Sequence, residues 1–92
     1  MAVIAKELAL KIVKKLKADI RERSGKAHDL ALVYHGGKLI AQFGIRRGSR
    51  KDQGHDHIPD QIHVRPSQAR LLGQCPLERQ DWIQILARKG LL

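Results

Sequence analysis

Histidine is the residue type in this chain whose number and spacing most suggest chemistry. Three of the five histidines, His55, His57 and His63, lie in one short segment of the 92-residue sequence. Because imidazole titrates near neutral pH, such a side chain can remove or supply a proton during a reaction. RNA cleavage needs little more, since the 2′-hydroxyl group becomes the nucleophile once it is deprotonated. We therefore predict His57, His55 and His63 as candidate catalytic residues of a metal-independent endoribonuclease.

The same three histidines have two other interpretations. They can serve as metal ligands together with Asp56 or Asp60, because imidazole and carboxylate groups both bind transition metals. Their spacing matches no well-defined metal motif, so we predict neither a metal nor a cofactor. In the remaining interpretation they lie on a solvated strand and loop and have no special function.

A basic segment, residues 46–51 with the sequence RRGSRK, precedes the histidines. Arginine holds phosphate oxygens in bidentate fashion, and the small Gly48-Ser49 step lets backbone N–H groups approach the same anion. The alternative interpretation is a charged loop that is simply solvated. The predicted nucleic-acid contacts, which include basic residues of the first helix, are Lys11, Lys14, Lys15, Arg46, Arg47, Ser49, Arg50, Lys51 and Arg65.

The charge of the whole chain supports a polyanionic partner. Eighteen lysines and arginines against nine acidic residues give a net charge of +9, and residues 1–54 carry +8 of it. An uneven excess of this size is typical of proteins that bind nucleic acid. RNA is the expected partner and DNA the alternative. The only aromatic side chains, Tyr34, Phe43 and Trp82, are predicted to lie in the core, so we expect no platform of stacked bases.

Composition excludes several other classes of protein. Lysines interrupt every apolar run in the N-terminal third, and no run reaches the roughly 18–20 residues that a membrane span needs, so we expect no membrane association. The single cysteine, Cys75, cannot form an internal disulfide. We therefore expect a cytoplasmic protein without a disulfide framework.

Two strong local patterns open the chain. Apolar residues recur every four positions from Ile4 to Ile20, which predicts one helix over residues 3–23 that ends at Ser24-Gly25. Two β-prone runs at 29–35 and 38–45 follow, and Gly36-Gly37 between them predicts a tight hairpin turn.

The expected register of this hairpin divides its residues between two faces. It places Leu32 opposite Ala41 and Leu30 opposite Phe43. The face predicted to cover the core therefore consists of Leu30, Leu32, Tyr34, Leu39, Ala41 and Phe43. Val33 and Ile40 are left on the other face.

The second half of the chain completes the predicted fold. Ile58, Ile62 and Val64 are all at even-numbered positions, as residues on one face of a strand are, so they predict a third strand. Helices are predicted from Pro66 to Leu72 and from Cys75-Pro76 to Lys89. The prediction is a single α+β domain over residues 1–92. Its order is α-β-β-β-α(α), with a three-stranded antiparallel sheet packed against helices.

The α-β-β-β-α order, the size, the basic charge and the Gly48-Ser49 step followed by histidines resemble the HicA-type mRNA interferase toxins. The resemblance implies a double-stranded-RNA-binding-like fold, a toxin-antitoxin system and an acidic antitoxin protein as partner. The signature of that family is a Gly-Ser-His step with a catalytic histidine. Here Arg50 occupies the position of that histidine, so the resemblance implies that His55 or His57 would perform its function.

Two hypotheses about function follow from the sequence. The first is a small basic nucleic-acid-binding protein, with a toxin-like ribonuclease of a toxin-antitoxin pair as the more specific form of this hypothesis. The alternative is a non-enzymatic interaction module, which either docks an acidic partner protein or self-associates through Val33 and Ile40.

Overall fold

The elements of the chain form an α+β fold, as predicted. The computed structural model describes residues 4–22, 28–46, 54–74 and 77–92. Their elements are α1 (Lys6–Leu16), β1 (Asp19–Arg21), β2 (His28–His35), β3 (Lys38–Arg46), α2 (Ile58–Gln61), α3 (Pro66–Gln74) and α4 (Arg79–Arg88). The three strands form one antiparallel sheet in the order β1-β2-β3. None of the helices in these ranges has the length and apolar character needed to cross a membrane.

The first helix is shorter than predicted. It ends at Lys17, which adopts the left-handed conformation with φ 54° and donates its backbone N–H to the carbonyl of Lys14 at 3.2 Å. A left-handed residue ends a helix because the chain direction changes there. The next residues form β1, in which Ile20 pairs with Ala31 of β2. The apolar repeat through Ile20 therefore continues in a strand, and the predicted helix is wrong over residues 17–22.

The hairpin prediction is confirmed, but its register is wrong beyond the turn. Gly36 and Gly37 have φ values of +59° and +80°, as a tight turn of this kind requires. The register shifts by one residue next to Val33, which faces Ala41, because Ile40 is an extra residue in β3.

This bulge exchanges the two faces of β2, since a shift of one residue turns every side chain to the other side. Ala31 and Val33 are fully buried in the core, whereas Tyr34 is exposed. Val33 is consequently not available for self-association. The prediction of a self-association surface at Val33 and Ile40 is wrong for this reason.

Residues 58–64 form a short helix and a turn, so the predicted third strand at this position is wrong. Backbone N–H groups of Ile62 and Val64 donate to the carbonyls of Ile58 and Pro59, both at 2.9 Å. All three apolar side chains of the segment are buried, as expected. An even spacing of apolar residues fits a helical turn as well as a strand, and the third strand of the sheet is instead β1.

Both predicted C-terminal helices are present and close the core, but their ends differ from the prediction. The helix α3 continues through Gly73 to Gln74, and α4 starts at Arg79, after the predicted start at Cys75-Pro76, which lies outside the described residues.

Side chains of Glu78 and Asp81 form a capping box that starts α4. Trp82 is fully buried, and its Nε1–H donates to the carbonyl of Ile62 at 3.0 Å. These helices and α1 cover the sheet face that carries Ala31, Val33 and Phe43. The opposite face of the sheet is left for the site described next.

Candidate nucleic-acid interface and histidine cleft

The edge of β3 that does not pair with β2 is covered by polar side chains from residues 55–61. The backbone N–H of Gly44 donates to Oε1 of Gln61 at 3.0 Å, and the carbonyl of Gly44 is 2.6 Å from Nε2 of His57. Two residues further along, the N–H of Arg46 donates to Nε2 of His55 at 3.0 Å. Edge strands need partners for such groups, and here side chains serve where a fourth strand would otherwise pair.

His55 is the most enclosed member of this group. Its side chain is fully buried, and its backbone N–H donates to the carbonyl of Ile4 at 2.7 Å. Because Nε2 accepts the N–H of Arg46, the neutral ring carries its proton on Nδ1. His55 therefore joins the start of α1 to the edge of β3, and its position is that of a structural residue.

His57 lines an open cleft together with His28, which was not among the predicted catalytic histidines. The cleft has a volume of about 580 Å³ and is lined by His28, Leu30, Gln42, Gly44, His57 and Gln61. We call it the histidine cleft. The rings of His28 and His57 meet edge to face, with centroids 5.8 Å apart and an interplanar angle of 84°. Two imidazoles in one cleft can transfer protons to and from the same substrate.

His28 could not be linked to His57 from the predicted register. Only after the bulge is Leu30 opposite Gly44 and His28 opposite Arg46. The sequence contained one signal of this contact, Gly44, because a glycine inside a strand often marks a position where another group lies close to the backbone. A Cβ atom at Gly44 would lie 3.2 Å from Cδ2 of His28.

His63 and Arg65 lie elsewhere. His63 is exposed, has a φ of 65°, and its carbonyl accepts a hydrogen bond from Nζ of Lys89 at 2.7 Å. Arg65 is also exposed, and its backbone N–H donates to Oε1 of Gln68 at 3.0 Å. Neither residue lines the histidine cleft.

The structure does not group the histidines as their alternative interpretation as metal ligands requires. Within the ranges that the structure describes, no group of three His, Cys, Asp or Glu side chains is placed to hold a metal ion. His55, His57 and His63 all lie in those ranges. His55 and His57 remain neighbours, with ring centroids 5.5 Å apart and an interplanar angle of 38°, whereas His63 lies apart from them beside Lys89.

The predicted lysines of α1 do meet in one place. A groove of about 570 Å³ runs between the second half of α1 and the region where α3 ends and α4 begins. We call it the lysine groove. Its lining residues are Lys11, Lys14, Lys15, Lys17, Gly73, Gln74 and Glu78.

The charges of the lysine groove are only partly balanced within the protein. Nζ of Lys15 lies 3.2 Å from Oε1 of Glu78, and the two side chains are 14% and 65% exposed. Lys11, Lys14 and Lys17 are exposed. The groove therefore presents a net positive charge to solvent.

Arg79 fixes the end of α1 beside this groove. Its Nε donates to the carbonyl of Leu16 at 3.1 Å, and its Nη2 donates to the carbonyl of Tyr34 at 2.6 Å. The last carbonyls of a helix carry partial negative charge, so a guanidinium group stabilises this end. The lysines of α1 are consequently displayed from an anchored helix.

The remaining predicted phosphate contacts are separate or cannot be placed. Arg46 is exposed and lines a different pocket with Lys6, beside the carboxylates of Glu22 and Asp29. Arg47, Ser49, Arg50 and Lys51 lie outside the described residues, as do Gly48, Cys75 and the predicted helix end at Ser24-Gly25. The structure thus groups Lys11, Lys14 and Lys15 and places Arg46 and Arg65 apart from them.

The lysine groove and the histidine cleft lie on opposite sides of the sheet. Leu30 and Gln42 line the cleft, and they alternate along their strands with Ala31 and Phe43, which face the core and α1. Comparisons with protein-family models, with curated proteins and with solved structures found no match to this chain. Its function is therefore inferred from the geometry of these two sites.

Proposed function

We propose that the protein binds RNA through the lysine groove. The observation that carries this proposal is the convergence of four lysines, three of α1 and Lys17 directly after it, on one groove whose described lining holds a single carboxylate, Glu78. Such a surface attracts a polyanion without requiring a specific partner shape.

The dimensions of the groove suit a sugar-phosphate backbone. Lys11 and Lys17 are separated by about 9 Å along the helix axis, since each residue adds about 1.5 Å. This distance corresponds to two or three phosphates, given a spacing of about 3.4 Å per strand in a nucleic-acid helix. The binding we propose is consequently electrostatic and independent of base sequence.

Fluorescence anisotropy with a labelled RNA oligonucleotide tests the proposal. Affinity should fall steeply between about 50 and 200 mM salt, because each neutralised phosphate releases condensed counterions. Reversal of two groove charges, Lys11→Glu with Lys14→Glu, should weaken binding by about tenfold at the lower salt concentration.

A matched variant separates the groove from net charge. Lys38→Glu with Arg88→Glu changes the charge of the chain by the same amount at two exposed residues outside the groove. It should weaken binding by less than about threefold, through long-range screening alone. Equal losses in both double variants, or an affinity that does not depend on salt, would contradict the proposal.

Competition distinguishes the other partners that the sequence suggested. Unlabelled RNA should displace the labelled RNA at lower concentration than poly-glutamate of equal charge. Poly-glutamate that competes as well as RNA would instead favour an acidic protein as partner. DNA of the same sequence, used in the same way, measures the preference for RNA.

A further inference from the structure

We infer that the histidine cleft is a ribonuclease site in which His28 and His57 act together as base and acid. The inference rests on the proposed RNA binding, because RNA is the substrate. It adds a catalytic residue, His28, that lies far from His57 in the sequence and reaches it only through the observed register of β2 and β3.

The hydrogen bonding of the cleft assigns His57 as the base. Its Nε2 lies 2.6 Å from the carbonyl of Gly44, which can only accept, so Nε2 carries the proton of the neutral ring. The lone pair is then on Nδ1. The bond to Gly44 thus fixes both the tautomer and the orientation of the ring, as a positioned base requires.

The other lining groups suit a polar, planar substrate. Oε1 of Gln61 accepts the N–H of Gly44 at 3.0 Å, which leaves its amide nitrogen as a donor. Gln42 adds a second amide to the lining, and Leu30 adds an apolar surface. A cleft of about 580 Å³ that is lined mostly by polar side chains has the size of a site for one small polar ligand, such as a nucleotide.

Two arginines are the cross-strand partners of residues that line the cleft. Arg46 is the cross-strand partner of His28, and Arg21 is the cross-strand partner of Leu30. Both arginines are exposed. Neither arginine lines the cleft itself, and Arg46 lines the pocket that also holds Glu22 and Asp29. The proposed reaction therefore relies on the two histidines and assigns no step to a guanidinium group.

The proposed reaction is an internal transfer of the phosphodiester. Nδ1 of His57 takes the proton of the 2′-hydroxyl, and the 2′-oxygen forms a bond to phosphorus. The bond from phosphorus to the 5′-oxygen breaks, and the imidazolium of His28 donates its proton to that oxygen. The products are a 2′,3′-cyclic phosphate and a free 5′-hydroxyl, and proton exchange with water restores both rings.

The position of the two sites sets the length of the substrate. The lysine groove lies on the other side of the sheet, so one RNA chain must extend past the groove to enter the cleft. Charge reversal in the groove should therefore raise KM and leave kcat nearly unchanged. Loss of a histidine of the cleft should lower kcat instead.

The test uses the full chain and an RNA of about twenty nucleotides, with products separated by gel and their ends identified as cyclic phosphates. His57→Gln is the decisive variant, because the glutamine amide can still donate to Gly44 but cannot act as a base. It should cut RNA about 10²- to 10⁴-fold more slowly, with unchanged affinity. His28→Asn should show the same pattern.

The control for these variants is His35→Ala, an exposed histidine beside the hairpin turn, which should cut like the parent. DNA of the same sequence should not be cut, because it lacks the 2′-hydroxyl, and EDTA should not slow the reaction.

The outcomes separate this inference from the proposed function. RNA that binds and is not cut, or is cut equally by the His57→Gln or His28→Asn variant, overturns the histidine pair and leaves RNA binding intact. Cleavage that stops when EDTA is added also overturns it. A chain that does not bind RNA overturns both.

Discussion

The histidine cleft and the lysine groove hold their functional groups in different ways. In the cleft, the backbone of Gly44 forms hydrogen bonds with the side chains of both His57 and Gln61. Two residues further along, the backbone N–H of Arg46 donates to the side chain of His55. In the groove, lysines extend into solvent from one face of a helix. The cleft fixes its polar atoms through the backbone of an edge strand, whereas the groove fixes only the helix that carries its charges.

This difference corresponds to two kinds of function. Proton transfer requires groups placed within a fraction of an ångström, and a strand edge supplies that precision. Attraction of a phosphate backbone requires positive charge and tolerates mobile side chains. Variants that affect one region and spare the other therefore test whether the two regions have these separate functions.

We expect the largest effect from His55. His55→Ala removes a fully buried ring and leaves the Arg46 N–H without its acceptor, which should lower the free energy of unfolding by about 2–4 kcal/mol. His55→Gln keeps an acceptor and should lose less than half as much. Urea denaturation measures both. A loss below about 0.5 kcal/mol in the alanine variant would mean that the hydrogen bond between Arg46 and His55 contributes little to the stability of the protein.

Gly73 tests the groove, since it allows α3 to approach α1. A Cβ atom there would lie 2.3 Å from Cδ1 and 2.9 Å from Cγ of Leu8. Gly73→Ala should cost about 1–2 kcal/mol of stability, because the overpacking exceeds the gain in helix propensity. Urea denaturation again measures this change. Gln74→Ala on the same helix is the control, with an expected change within about 0.5 kcal/mol.

Gly73→Ala should also change the affinity for RNA, because the side chain of Leu8 must rotate and the carbonyl oxygen of Leu8, 3.3 Å from the added Cβ atom, limits how closely α3 approaches α1. The hydrogen bonds at Gly44 should remain, and amide chemical shifts report on them. Movement of the Gly44 amide signal together with those of α1 would show that the two regions are not independent.

Gly44 provides the corresponding test of the cleft. A Cβ atom there would lie 3.2 Å from Cδ2 of His28, so Gly44→Ala should displace that ring by a few tenths of an ångström. We expect a stability cost of about 1 kcal/mol and RNA cleavage about tenfold slower, with binding unchanged. The cleavage assay and anisotropy measure the two parts. Weaker binding with unaltered cleavage would reverse the functions assigned to the regions.

The smallest effect is expected at Glu78, the carboxylate that pairs with Lys15. Glu78→Gln removes this charge and can still accept the hydrogen bond of the capping box, so stability should change by less than about 1 kcal/mol. RNA should bind about two- to threefold more tightly, since the described lining of the groove then holds no negative charge to oppose a phosphate. Weaker binding, measured by anisotropy, would show that Lys15 needs Glu78 to be positioned.

Local signals in the sequence were sufficient to predict much of the fold. The apolar repeat of α1, the glycine pair of the hairpin and the Pro66 start of α3 each act within a few residues, and all three elements are present. The α+β class followed from them. The lysines of α1 were identified as a group for the same reason, because one helix positions them.

The errors arose where a single residue or a distant contact decided the structure. The left-handed conformation of Lys17 ends α1. The extra residue Ile40 in β3 shifts the register and thereby exchanges the two faces of β2. Neither position carries the glycine that usually signals such a change. The pairing of His28 with His57 depends on that corrected register, so the sequence identified His57 and could not supply its neighbour.

The central claim is that RNA contacts the lysine groove. Titration of isotope-labelled protein with a short RNA, followed by amide chemical shifts, tests it most directly. The account predicts that the amides of Lys11, Lys14, Gly73 and Gln74 shift first, and that added salt reverses these shifts. Shifts confined to the hairpin turn or to the end of α4, with the groove amides unchanged, would contradict it.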